Sequence, residues 1–151
     1  MKRYLSIITF LLLFASTGYG QVFVNHSSWL VESRLKYAFK KHKTIVNQTD
    51  TSLTYLLRDT LTRPLDIYCS FDKSKNCIFQ KMSFDCDSCY HKFLKGELAE
   101  KKYEWQSIGG TRYLSKYSKH LLLVGDDKKL YYTLSLFNYT EDEYKKILGT
   151  K

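Results

Sequence analysis

The sequence predicts an α+β domain: an antiparallel sheet with helices on one face, in the order α-ββββ-α-ββββ-α. Three observations carry that prediction. Ser27-Ser28 and Thr140 with Glu143 have the chemistry of helix starts. Leu65, Ile67, Cys69 and Phe71 recur at period two, as a half-buried strand requires. Elsewhere, short apolar runs are separated by turn residues: Asp72 to Lys75, Gly109-Gly110 and Gly125 to Lys129.

Taken in order, Ser27 or Ser28 caps a helix over about Trp29 to Lys41, with Val31, Leu35, Ala38 and Phe39 on one face and Arg34, Lys36, Lys40 and Lys41 on the wet side. Strands follow at Thr44 to Gln48 and Ser52 to Arg58, separated by a polar turn at Thr49 to Thr51. Thr60 to Pro64 is a connection, because Pro64 disfavours helix at Arg63 and cannot donate to a ladder. Leu65 to Phe71 and Asn76 to Phe84 form a hairpin. A second helix runs from Asp85 or Cys86 to about Lys102, weakened by Gly96, which costs about 1 kcal/mol relative to Ala. Tyr103 to Ile108 and Thr111 to Tyr117 flank a Gly-Gly turn that needs positive φ. His120 to Val124 and Leu130 to Phe137 form the last hairpin. Thr140 then opens a final helix, and Glu143 completes a capping box.

Two segments echo one another. Leu65-Asp-Ile-Tyr and Cys77-Ile-Phe-Gln around one charged turn match Leu121-Leu-Leu-Val and Leu130-Tyr-Tyr-Thr around another. The echo suggests pseudo-repeats over 27–84 and 85–137 within a single domain, 21–151. This element order is similar to the tandem helix-plus-sheet folds of secreted inhibitors of the beta-lactamase inhibitory protein type. With some strands merged, α-βββ-α-ββ-α, it is similar to type III secretion chaperones. The likeness lies in element order and transfers no residue role or activity.

The first twenty residues read as a cleaved signal peptide. Lys2 and Arg3 precede the apolar run Leu5 to Phe14, and Gly18 and Gly20 stand at −3 and −1 of a cut before Gln21. The run is too short to span a bilayer comfortably, and no later stretch approaches that length. The expected location is therefore secreted or periplasmic, where disulfides persist. In a eukaryotic secretory pathway Asn25, Asn47 and Asn138 would accept glycans.

Removing Lys2 and Arg3 with the leader lowers the formal charge from +9 to +7. The cations are mostly lysines spread along the chain, which suits a solvated basic surface better than specific nucleic-acid recognition, where Arg forks lead. No phosphate loop, nucleophile elbow or paired-histidine metal motif occurs, so no cofactor or metal and no enzymatic activity are expected. His26, His42, His91 and His120 have no close ligand spacing. Asp126-Asp127 and Glu141-Asp142 are explained by a turn and a helix start.

The chain's four cysteines allow three pairings. A three-residue loop at Asp72 to Ser74 would set Cys69 opposite Cys77, within bridging reach. Cys77 and Cys86 would lie about 30 Å apart along an extended strand. The expected disulfides are therefore Cys69–Cys77 and Cys86–Cys89. Cys86-Asp-Ser-Cys89 follows a strand and opens a helix, the local setting of a thioredoxin-like redox motif. Against that role, the chain's single proline, Pro64, precedes the motif, and Asp85 and Asp87 oppose a thiolate. A structural bridge is favoured, and a thiol–disulfide oxidoreductase using Cys86 and Cys89 is the alternative.

The aromatic residues point to binding. Tyr131-Tyr132, Phe137 and Tyr139 cannot all share one strand face, and Tyr103, Trp105, Tyr113 and Tyr117 add rings nearby. An aromatic and basic sheet face that includes Trp105, Tyr113 and Tyr132 is the expected surface for a protein or cell-envelope ligand.

Overall fold

A computed structural model of the 151-residue chain describes residues 22–58, 65–116, 121–136 and 140–149. Among the described residues, three helices and eight strands follow the predicted order. Helix α1 is Ser28–Ala38, and strands β1 to β4 are Thr44–Gln48, Ser52–Leu57, Leu65–Phe71 and Cys77–Phe84. Helix α2, Asp87–Leu98, leads through a 3₁₀ turn at Lys101–Tyr103 to β5 to β8: Trp105–Ser107, Arg112–Ser115, Leu121–Asp126 and Tyr131–Leu136. Helix α3 is Glu141–Leu148. The expected leader, Pro64, Tyr117, His120, Phe137, Asn138 and Tyr139 lie outside the described residues.

The local signals act as their chemistry requires. The Ser27 hydroxyl accepts the Leu30 N–H at 3.4 Å. Thr140 and Glu143 form the reciprocal capping box, and Gly109 and Gly110 both take positive φ, 109° and 57°.

All eight strands form one antiparallel sheet in the order β1-β2-β3-β4-β8-β7-β6-β5. Each half is a four-stranded meander, and the two meanders join through their last strands, with Met82 opposite Tyr132. Eight strands also remove the merged chaperone-like order α-βββ-α-ββ-α.

Because side chains alternate across a sheet, the two faces separate cleanly. One face carries Leu53, Tyr55, Ile67, Met82, Phe84, Tyr132, Leu134 and Leu123, all buried. Against it pack Val31 and Leu35 of α1, Tyr90 and Leu94 of α2, and Val22 to Val24 ahead of α1. The third helix departs from the one-face expectation. Its Tyr144 packs with Leu114 and Leu122, which face the other way from Tyr113 and Leu123, and the Tyr144 hydroxyl donates to the Ser115 carbonyl at 2.9 Å. Helix α3 thus covers the opposite face of the second meander at β6 and β7. The opposite face of the first meander has no helix over it among the described residues.

The β3–β4 hairpin differs from the three-residue loop expected. Lys75 takes positive φ, 64°, in a longer turn, and a bulge follows in which Ile78 is the extra residue. Cys69 therefore lies opposite Gln80, while Cys77 lies opposite Phe71. The bulge also reverses the parity of β4: Phe79 turns outward and Gln80 inward. Buried Gln80 is accommodated because its Oε1 accepts the Phe23 N–H at 2.8 Å.

Candidate functional site

The uncovered face of the first meander is the candidate binding surface. Strand alternation places Thr54 and Leu56 of β2, Asp66 and Tyr68 of β3, Phe79, Lys81 and Ser83 of β4, and Tyr131 and Thr133 of β8 on it. Tyr68 and Phe79 meet edge to face with ring centroids 6.2 Å apart. The Lys81 ammonium lies 4.2 Å over the Tyr131 ring. Tyr68 is directly opposite Lys81 in the register, so the three rings and the cation form one cluster across three neighbouring strands. Contacts of this kind hold the rings in fixed orientations while leaving them accessible to a partner. Beside the cluster, Arg58 donates to Asp66 at 2.6 Å, on the rim of a recess of about 130 Å³ lined also by Ser83, Phe84 and Asp85. The recess is smaller than the roughly 300 Å³ at which small-molecule pockets begin, so the face is better shaped for a broad contact.

The three residues expected to bind occupy other places. Tyr132 is fully buried, its hydroxyl pointing at the Met82 sulfur at 2.9 Å and its ring stacked on Phe84. It is a core residue, because it alternates with outward-facing Tyr131. Trp105 is half-buried on the helix-covered side, where its indole N–H donates to the Glu97 carbonyl at 3.0 Å. Tyr113 is half-buried and packs against the main core on that same side. The uncovered face presents Tyr68, Phe79, Lys81 and Tyr131 instead. The signal for Tyr68 was legible: it alternates with Leu65, Ile67, Cys69 and Phe71.

The cysteines divide into two pairs. Cys86 and Cys89 are bonded, with sulfurs 2.04 Å apart. Cys86 is the N-cap of α2, and its sulfur accepts the Cys89 N–H at 3.0 Å. Asp85 and Asp87 beside it are exposed, and Asp87 pairs with His91 at 3.3 Å. Cys69 and Cys77 carry no bridge here; both are buried free thiols. The bulge places Cys69 opposite Gln80 rather than directly opposite Cys77. The two sulfurs still meet on the core face. Hydrogen bonding with Cys77, and then burial, raises the Cys69 thiol pKa, and the Cys77 sulfur donates to the Phe79 carbonyl at 3.4 Å.

One buried group has no counterpart in the sequence reading. Glu97 of α2 is fully buried, and neither carboxylate oxygen has a hydrogen-bond partner. Burial, with a smaller push from Glu100, raises its pKa to about 7, against a partial offset from Lys102.

No family model matches the chain, and neither a curated protein nor a solved structure matches it. Among the described residues no helix is long and apolar enough to cross a membrane.

Proposed function

We propose that this chain is a non-enzymatic binding domain of a secreted or periplasmic compartment, capturing a protein or cell-envelope ligand on the uncovered face of its first meander. The observation that carries the reading is the cluster of Tyr68, Phe79, Lys81 and Tyr131 on a sheet face that, among the described residues, has no helix over it. Aromatic residues are enriched among the anchors of protein interfaces, and rigid rings lose little conformational entropy on binding. The leader-like first twenty residues and the Cys86–Cys89 bond support the compartment.

The test is capture from the envelope and secreted fractions of the source cell, comparing the wild type with Tyr68→Ala and Phe79→Ala. Hot-spot residues cost roughly 2 kcal/mol or more on truncation, about 30-fold in affinity. Capture that persists unchanged in both folded variants counts against the reading.

The alternative, a thiol–disulfide enzyme, has one observation in its favour: the Cys86 sulfur sits at a helix N-terminus and accepts an N–H, an arrangement that stabilises a thiolate. Cys86 is only 6% exposed, and two aspartates flank it, which hinders attack and opposes charge. A reduction potential below about −300 mV is expected, the range of structural bridges. A value between about −270 and −120 mV, with Cys86 readily alkylated after reduction, would move the redox reading ahead.

A further inference from the structure

We infer that β1 is a self-association edge, on which a second copy of this chain adds its own β1 in antiparallel register. Pairing at this edge does not depend on a ligand at the uncovered aromatic face. Among the described residues β1 is the terminal strand of the sheet, and four of its five residues are exposed, with Ile45 at 48% and Val46 at 40%. Its ladder phase follows from the bonds at its two ends. The Arg58 N–H donates to the Lys43 carbonyl, and the Thr49 N–H donates to the Ser52 carbonyl, each at 2.9 Å. Odd-numbered residues therefore bond to β2, and the backbone groups of Thr44, Val46 and Gln48 point away from it.

Natural edges are usually blunted by proline, an inward charge, a bulge or a covering element. Thr44-Ile-Val-Asn-Gln48 has no proline and no charge, and its pairing with β2 runs without a bulge. The opposite edge contrasts with it: β5 has three residues, and its Gln106 side chain donates to the Leu148 carbonyl at the end of α3.

The occupant follows from charge and symmetry. Lys40, Lys41, His42 and Lys43 precede the strand, and Asp50 follows it. When two β1 strands pair antiparallel about Val46, Thr44 faces Gln48 of the other copy, and residue 42 faces residue 50. The basic end of each copy then meets Asp50 of the other, whose side chain is fully exposed and holds only a distant 3.9 Å pair with Lys75. A two-fold arrangement satisfies both edges at once and closes the assembly. The contact is weak, because a five-residue edge buries less than the roughly 1,200 Å² of a stable interface.

Sedimentation of the purified unglycosylated protein, from about 10 μM to about 1 mM, reads the association directly. The mass is expected to rise toward that of a dimer. Val46→Pro removes an outward-pointing N–H and no bond to β2, so it should leave the fold intact and weaken dimerisation at least tenfold. Val46→Lys should act similarly by charge. Oxidised Val46→Cys should link two chains through residue 46, a readout that does not depend on the proline variant folding. A monomer throughout overturns the inference, including one whose β1 amides are protected by another segment of the same chain. So does a dimer that persists in folded Val46→Pro and Val46→Lys.

Discussion

Tyr132→Ala is expected to destabilise the domain by about 3–5 kcal/mol, while Tyr131→Ala costs less than about 1 kcal/mol. The two tyrosines are neighbours in sequence but lie on opposite faces of β8. Tyr132 fills the centre of the sheet, stacked on Phe84 and opposite both Met82 and Gly125. Its removal leaves a large cavity under α2 and strands the contacts that join the two meanders. Tyr131 loses a cation–π contact with Lys81 and a surface that water can replace. Urea unfolding of both variants checks this, since typical domains hold only about 5–15 kcal/mol. Equal midpoints for the two variants would contradict the assignment of faces.

The second large effect is a pH dependence centred on Glu97. Its folded pKa, about 7, lies above the ordinary 4.5. Between those values the folded state holds a proton that the unfolded state has released. Stability conferred by the neutral form is therefore full below about pH 4.5 and is lost as pH rises toward and through 7. The displacement corresponds to at most about 3 kcal/mol. Glu97→Gln is neutral at every pH, so it should unfold at higher urea than wild type at pH 8 and show little advantage at pH 5. Parallel stability profiles for the two proteins would show that Glu97 does not carry the effect.

Most of the fold was readable because its signals are local. The caps at Ser27 and Thr140, the Gly109-Gly110 turn and the period-two run from Leu65 to Phe71 each fix an element without reference to the rest of the chain. The candidate surface was less readable, because it depends on face parity and on what covers each face. The Ile78 bulge turns Phe79 outward and Gln80 inward, and no residue type in that stretch announces it. Helix α3 shields Leu114 and Leu122 while leaving Tyr131 open, a choice set by where α3 docks. Ring content alone therefore pointed to Trp105, Tyr113 and Tyr132, all on the helix-covered side. Glu97 escaped for a related reason: within Leu94 to Leu98 it reads as an ordinary solvated helix glutamate, and only the docking of α2 buries it.

The uncovered face is the proposed contact surface. The most direct test is the dissociation constant of the captured ligand for Tyr68→Ala against that for Trp105→Ala, both checked for intact fold. We expect a loss of about 30-fold or more for Tyr68→Ala and a near-wild-type value for Trp105→Ala. The reverse pattern, with Trp105→Ala weakened and Tyr68→Ala unchanged, would place the contact on the other side of the sheet and contradict the account.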